Sequence, residues 1–290
     1  MSASPSVQPP TIAEVLRLAW PASVAASVTP LLGTVDVWAL ARSDRPLDIA
    51  AVGLGSVIFS LVYWAFGFIR MSVAGLTAQA SGAEDPREER ASLARGVFIG
   101  GGLGLLLLLL QWPIGAAAFP LLALGSNASA ETLAAAEAYY AARIWGAPFV
   151  IATYAAFGWL TAKGRTDALM TVSLAMTALN IALDYAFVVY FGWGAEGVAI
   201  GTLIAEVAGA LFAGGYILSI LRREGGASAH WASLDLWSRG AVMRTIAVNR
   251  DIFIRTLLLA LSFAWFVQRG GAFGDVVLAA NQVLLQLFLF

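Results

Sequence analysis

Long stretches without charged residues constrain the fold of this chain more than any other feature of its sequence. Residues 49–69 and 96–124 contain no Asp, Glu, Lys or Arg. A helix rises about 1.5 Å per residue, so about 20 apolar residues cross the roughly 30 Å hydrocarbon core of a bilayer. Such stretches must be helical, because isolated strands would leave backbone groups unpaired in lipid. The predicted spans are 15–40, 49–69, 96–124, 144–162, 168–191, 197–221 and 252–273, with an eighth beginning at 276.

The composition supports a membrane protein and excludes several other classes. Hydrophobic residues make up 60% of the chain and charged residues 12%, which fits neither a soluble globule nor disorder. The lack of Cys and the single histidine, His230, exclude disulfides, thiolate metal sites and multi-histidine centres. A net charge of −1 offers no basic surface for nucleic acid. Since no phosphate loop, Asp-rich motif or His cluster occurs, we expect no enzyme, no metal and no cofactor.

The distribution of basic residues predicts the orientation and the division of the chain. With the N-terminus inside, only four of the 17 Lys and Arg lie on the outer side, which indicates a cytoplasmic N-terminus. The basic, Gly-containing segment 222–250 predicts a cytoplasmic linker between two bundles. The stretch 276–290 is too short to cross, so we expect a fragment of a longer protein. The predicted parts are a disordered cytoplasmic tail (1–14), an N-terminal six-helix lobe (15–221), the linker (222–250) and the first helices of an incomplete C-terminal lobe (251–290). The four outer basic residues are Arg42, Arg45, Arg143 and Arg269.

Three carboxylates lie inside predicted spans, where an ionised group costs on the order of 3 kcal/mol. They are Asp36, Asp184 and Glu206. Such residues usually serve a function, and the alternative is a structural ion pair or a position at the membrane interface. The alternative weighs most for Asp36, which is close to the outer end of its span.

Helix spacing places further polar groups beside these carboxylates. Asn180 precedes Asp184 by four residues, and Thr202 precedes Glu206 by four, so each pair shares one helix face. The directions of the spans put Asp36, Asp184 and Thr202 in the outer half of the membrane. Carboxylate, amide and hydroxyl oxygens at one level predict a buried proton or cation site, with Glu206 as a secondary member. Unrelated interhelical hydrogen bonds are the alternative for Asn180 and Thr202.

Two other features predict helix geometry. The Gly-rich segment 100–104 follows no strand, so we interpret it as a site of close helix packing rather than nucleotide binding. Pro21 and Pro30 lie inside the first span, where proline can kink a helix. A kinked helix that carries Asp36 would be a moving part.

Several motifs in order resemble the multidrug and toxic compound extrusion (MATE) family and its DinF-like bacterial branch. The resemblance extends over nearly the whole chain from the first span onward. The motifs are LAWP (18–21), VTPLLGTVD (28–36), YWAFGFIRM (63–71), GLTAQA (75–80), NIALD (180–184), DIFIRT (251–256) and LAANQ (278–282).

This resemblance implies a twelve-helix antiporter built from two six-helix lobes around a central cleft, of which the second lobe is incomplete here. Matched by motif, Asp36, Asn180, Asp184 and Thr202 correspond to the family's cation or proton site, and Pro21 to the proline at which the first helix bends. The implied function is export of small organic, often cationic, drugs or toxins across a bacterial inner membrane in exchange for H⁺ or Na⁺, by a monomer surrounded by lipid. A flippase for lipid-linked precursors, which would need a more basic cleft, and a non-transporting fragment are the alternatives.

Overall fold

A computed structural model of the chain describes residues 11–42, 45–124, 128–224 and 237–271, and within them the regular structure is helical. A 3₁₀ turn, Ile144–Gly146, joins the sixth helix to the seventh, and a π-helical segment, Tyr185–Tyr190, continues the eighth. The α-helices are α1 (Ile12–Leu40), α2 (Leu47–Phe66), α3 (Phe68–Gly82), α4 (Pro86–Leu109), α5 (Gln111–Leu124), α6 (Ala130–Arg143), α7 (Ala147–Ala162), α8 (Thr166–Asp184), α9 (Gly194–Arg223) and α10 (Arg239–Gly271).

The described residues contain six helical segments that are long and apolar enough to cross a membrane, and each overlaps one of the first six predicted spans. The prediction of a polytopic all-α membrane protein is thereby confirmed. The predicted seventh span falls within α10, whose side chains are described only in part, and residues 276–290 lie outside the described residues. The six segments are Ile12–Leu40, Leu47–Gly82, Pro86–Leu109, Ala130–Ala162, Thr166–Tyr190 and Gly194–Arg223.

The ends of three spans differ from the prediction. The second span continues as α3 to Gly82, the third ends at Leu109 before the separate helix α5, and the fourth already begins at Ala130. The missed parts of the second and fourth spans are the more polar ones, and α6 carries Glu131 and Glu137. A search for uncharged stretches cannot detect a helix whose polar side chains face other helices or water instead of lipid.

Two helices begin inside segments that we predicted to be a tail and a linker. Helix α1 begins at Ile12 with a reciprocal cap, because the Thr11 hydroxyl accepts the Glu14 N–H at 3.3 Å and the Glu14 carboxylate accepts the Thr11 N–H at 2.8 Å. Helix α10 begins at Arg239, inside the segment 222–250 for which we predicted a linker. Residues 1–10 and 225–236 lie outside the described residues, and the division into two lobes stays a prediction.

The Gly-rich segment 100–104 lies where α4 packs against α7. A Cβ on Gly100 would stand 2.6 Å from the Ile151 carbonyl oxygen, and one on Gly104 would overlap the backbone of Pro148. A Cβ on Gly101 or Gly102 would meet no atom within 4 Å. The interpretation of this segment as a helix-packing site is confirmed, since lipid-exposed helices associate through small residues that let the backbones approach.

Five helices converge on the side of the bundle that carries the predicted site. Helix α1 packs on α8, α8 packs on α9, and α6 lies against both α2 and α9. Helices α3 and α4 hold α7 on the other side, and α10 lies against α3. Helices α1, α2, α6, α8 and α9 therefore surround the positions of Asp36, Asn180, Asp184, Thr202 and Glu206.

Charged side chains tie together the helix ends that we predict to face the cytoplasm. The Lys163 ammonium donates to the Glu89 carboxylate at 2.9 Å and lies 3.7 Å from that of Glu224. The Arg244 guanidinium, near the start of α10, donates to the Glu88 carboxylate at 2.9 Å. The ends of α4, α7, α9 and α10 thus meet at one face of the protein, as the predicted topology requires.

The orientation can be tested with single cysteines, because the chain has no Cys of its own. Ala83 precedes α4 at the predicted cytoplasmic face, and Ala130 starts α6 at the opposite face; both are exposed. We expect a membrane-impermeant maleimide to label Ala130→Cys in intact spheroplasts, and to label Ala83→Cys only after the membrane is opened. The reverse pattern would contradict a cytoplasmic N-terminus.

Candidate functional site

A cavity of about 380 Å³ opens among α1, α2, α6, α8 and α9. Its walls carry four of the residues that the sequence singled out, together with one arginine. The polar spacing along α8 and α9 therefore brings separate helix faces to one site. The charged and amide or hydroxyl side chains of the lining that bear on the site are Asp36, Arg143, Asn180, Thr202 and Glu206.

Asp184 lies behind this cavity and is fully buried. Among the described residues no donor of good hydrogen-bond geometry meets either of its carboxyl oxygens, which interact with the Asp36 carboxyl and the Asn180 side chain. The half-buried carboxyl of Asp36, on α1, lies close enough for the two charges to interact. The close approach of Asp184 to α9 requires glycine, since a Cβ on Gly201 would stand 2.6 Å from Asp184 Oδ1. The two predicted aspartates thus form one buried pair between α1 and α8.

Asn180 and Thr202 connect α8 with α9 beside this pair. The Asn180 side-chain amide donates to the Thr202 hydroxyl at 3.2 Å. Such an interhelical hydrogen bond was the alternative that we gave for Asn180 and Thr202 from the sequence. It uses only the nitrogen atom of the Asn180 amide. Asn180 Oδ1 is buried without a hydrogen-bond partner among the described residues. One oxygen of Asn180 is therefore left to bind a proton donor or a cation.

Arg143 belongs to the site, although from the sequence we predicted it among the basic residues on the outer side of the membrane. Its guanidinium lies 3.4 Å from the Glu206 carboxylate, donates to the Tyr139 hydroxyl at 2.7 Å and stacks 4.8 Å from the centre of the Phe59 ring. Only 17% of its side chain is exposed. The signal that could have revealed it is Glu206 itself, because a carboxylate inside a span requires a cationic or proton-bearing partner.

Glu206 is buried on α9 and faces the 3₁₀ turn between α6 and α7. A Cβ on Gly146 would overlap its Oε2 atom, so glycine is required for this approach as well. Oε1 takes the ion pair with Arg143, whereas Oε2 has no hydrogen-bond partner among the described residues. Consequently, Arg143 contacts only one of the two carboxylate oxygens of Glu206.

Pro21 is buried in α1, which runs through it as a continuous helix to Leu40. Proline has no N–H to donate, so the helix lacks one backbone hydrogen bond there. The expectation that α1 bends at this residue stays a prediction.

In the part of the chain that the structure describes, five buried oxygen atoms of this site meet no donor of good hydrogen-bond geometry. A buried polar atom left unpaired costs about 1–3 kcal/mol, and a charged one costs more. Oxygen-only groups of this kind can take up protons or coordinate hard cations. The arrangement therefore suits reversible binding of a small cation, and the atoms are Asp36 Oδ1, Asn180 Oδ1, Asp184 Oδ1, Asp184 Oδ2 and Glu206 Oε2.

The fold and the site define a polytopic helical membrane protein whose spans enclose a carboxylate cluster, the class to which secondary transporters belong. The family model MatE matches residues 21–186, more than half of the chain. This chain belongs to the MatE family, and the sequence resemblance to that family and its DinF-like branch is confirmed.

Individual relatives agree with this assignment. DNA damage-inducible protein F of Escherichia coli is 33% identical over 274 residues, which are 94% of this chain and 58% of that protein. Multidrug export protein MepA of Staphylococcus aureus is 24% identical over 203 residues, which are 70% of this chain and 44% of that protein.

A solved structure shares the fold. A transporter of the MOP superfamily from Pyrococcus furiosus superposes with a TM-score of 0.75 at 21% identity, covering 95% of this chain and 60% of that one. At this identity the likeness concerns the fold alone. The chain spans 44% to 60% of the length of these three proteins.

The close approach of Asp184 to α9 gives a steric test of the site. We expect Gly201→Val to push the carboxyl away and to destabilise the protein by about 1–3 kcal/mol, the usual cost of overpacking. Gly215→Val on the same helix is the matched control, since a Cβ there meets no atom within 4 Å. Thermal unfolding in detergent, followed by size-exclusion chromatography, measures both. Equal unfolding temperatures for the two variants would contradict the geometry.

Proposed function

We propose that this protein exports organic cations across a bacterial inner membrane in exchange for protons or sodium ions. The observation that carries the proposal is the pair of Asp36 and Asp184, three of whose oxygens have no hydrogen-bond donor of good geometry among the described residues. Membership in the MatE family supports an export function, and the E. coli and S. aureus relatives are similar over 94% and 70% of this chain.

The buried pair offers a way for the coupling ion to change the conformation of the protein, as an exchanger requires. Two carboxylates that lie side by side at low dielectric repel each other, and a bound proton or cation relieves this repulsion. A ligand shifts a conformational equilibrium only by its difference in affinity for the two states. Because α1 and α8 each provide one aspartate, occupation of the pair changes the attraction between these two helices. The gradient of the coupling ion could thereby drive α1 between two arrangements.

The charge of the cavity indicates the class of substrate. Among the described residues, the cavity lining holds the carboxylates of Asp36 and Glu206 and the guanidinium of Arg143, and the carboxylate of Asp184 lies directly behind it. The surplus of negative charge favours organic cations. A flippase for anionic lipid-linked precursors would require the opposite balance.

Replacement of the two aspartates tests the proposal. We expect Asp36→Asn and Asp184→Asn, each made in the full-length protein, to reduce gradient-driven efflux to background, because the amide fits the space but cannot exchange a proton or balance a cation. Asp167→Asn is the matched control, since Asp167 lies exposed in the first turn of the same helix α8. The measurement is ethidium or fluoroquinolone efflux from energised vesicles at equal expression.

Wild-type efflux in both Asp36→Asn and Asp184→Asn would remove the pair from the mechanism. A loss of efflux in the Asp167→Asn control as well would show that the assay reports folding rather than ion coupling. Replacement of the proton gradient by a sodium gradient in the same vesicles identifies the coupling ion.

A further inference from the structure

The guanidinium of Arg143 lies between Glu206 and the pair of Asp36 and Asp184. In the proposed exchange, these two acidic groups would bind different ligands. On one side it contacts Glu206 at 3.4 Å, a long distance for a charged hydrogen bond. On the other side it lies within electrostatic range of Asp36 and Asp184. The arginine therefore belongs to both halves of the site.

The atoms around Arg143 are only partly satisfied. Its own Nε is buried without a hydrogen-bond partner among the described residues, and so are Asp36 Oδ1 and Glu206 Oε2. If the positive charge that neutralises Asp36 or Glu206 moves away, the carboxylate oxygens stay buried without a compensating charge, which costs substantial free energy. Glu206 and the aspartate pair thus compete for Arg143, because one guanidinium cannot fully neutralise both.

We propose that Arg143 couples the two binding events by serving as a tethered competitor, pairing with Glu206 while the coupling ion occupies Asp36 and Asp184, and with Asp36 after the ion has left. In the second arrangement Glu206 is free, and it becomes the carboxylate that binds the organic cation. The inference rests on the proposed function and names Arg143 as its positioning residue and Glu206 as its substrate-binding group.

The surroundings of Arg143 fit an exchange between two partners. The Tyr139 hydroxyl and the Phe59 ring hold the guanidinium from its own helix α6 and from α2, and neither carries a competing charge. The acids that face it are Asp36 on α1, Asp184 on α8 and Glu206 on α9, and the phenols of Tyr63 and Tyr154 complete the set of titratable neighbours. The guanidinium therefore stands among three acids, and its other contacts are an uncharged hydroxyl and a ring that do not bind it to one acid in preference to another.

The consequence is mutual exclusion without a shared binding site. Occupation of the aspartate pair by an ion sends the arginine to Glu206 and displaces the substrate. Binding of an organic cation at Glu206 sends the arginine to the aspartates and displaces the ion. Antiport requires this reciprocity, because each ligand must lower the affinity for the other by the same factor.

A double-mutant cycle on ligand affinity tests the proposal without any transport measurement. Asp36→Asn imitates the neutral, ion-occupied aspartate, so it should commit Arg143 to Glu206 and weaken the binding of ethidium to the purified full-length protein about tenfold or more. Arg143→Gln should strengthen ethidium binding, and in that background Asp36→Asn should have no further effect. Fluorescence titration of the four proteins measures the cycle.

Two further variants serve as controls for this experiment. Arg143→Lys keeps the charge, so the effect of Asp36→Asn should persist in it. Arg95→Gln removes another buried arginine, at the predicted cytoplasmic end, and should leave the effect of Asp36→Asn unchanged. If Arg143→Gln fails to fold, Arg143→Met takes its place, because a long apolar chain keeps the contact with the Phe59 ring.

The outcomes separate this inference from the function on which it rests. An equal loss of affinity on Asp36→Asn with and without Arg143 would show that Asp36 contacts the ligand directly and would overturn the exchange mechanism, while the proposed function would stand. Failure of the wild-type protein to bind ethidium or any other organic cation would instead overturn the proposed substrate class, and the inference with it.

Discussion

The burial of Asp184 is the constraint on which the rest of this structure depends. A fully buried carboxylate without a hydrogen-bond partner is stable only if a proton, a cation or a neighbouring charge compensates it. The surrounding structure makes its burial sterically possible, since Gly201 admits the carboxyl against α9 and Asn180 stands one turn before it. The groups of the described residues that interact with Asp184 are the Asp36 carboxyl, the Asn180 amide and, through its charge, Arg143.

The sequence was sufficient to predict the class of fold and most members of the site. Uncharged stretches long enough to cross a bilayer leave the chain few alternatives to helices, and a carboxylate within such a stretch is costly enough to attract attention. The four-residue spacing of Asn180 with Asp184 and of Thr202 with Glu206 then fixed which side chains share a face. The meeting of Asn180, Thr202 and Glu206 with Asp36 in one cavity also required the directions of the spans, which follow from the order of the spans along the chain.

The sequence was insufficient where a polar residue faces protein rather than water. Arg143 ends a helix and follows a polar stretch, so its charge was assigned to the outer surface, whereas the structure places it against Glu206. The same reason explains why the fourth span begins at Ala130 and not at 144, because α6 packs on α2 and α9 through side chains that hydropathy does not classify as membrane-embedded. Hydropathy measures affinity for lipid, and it does not register a partner supplied by another helix.

The segment that follows Asp184 connects the site to the packing of the whole lobe. Tyr185–Tyr190 is π-helical, a geometry that is rare and concentrated at functional sites, and it begins at the residue after the buried carboxylate. The Tyr185 ring lies 6.4 Å from the ring of Trp38, which stands two residues after Asp36 on α1. The two helices are thus joined at this level by a carboxylate pair and an aromatic pair side by side. The contact between α1 and α8 therefore carries the charge of the site at the level where the winding of the backbone changes from α-helical to π-helical.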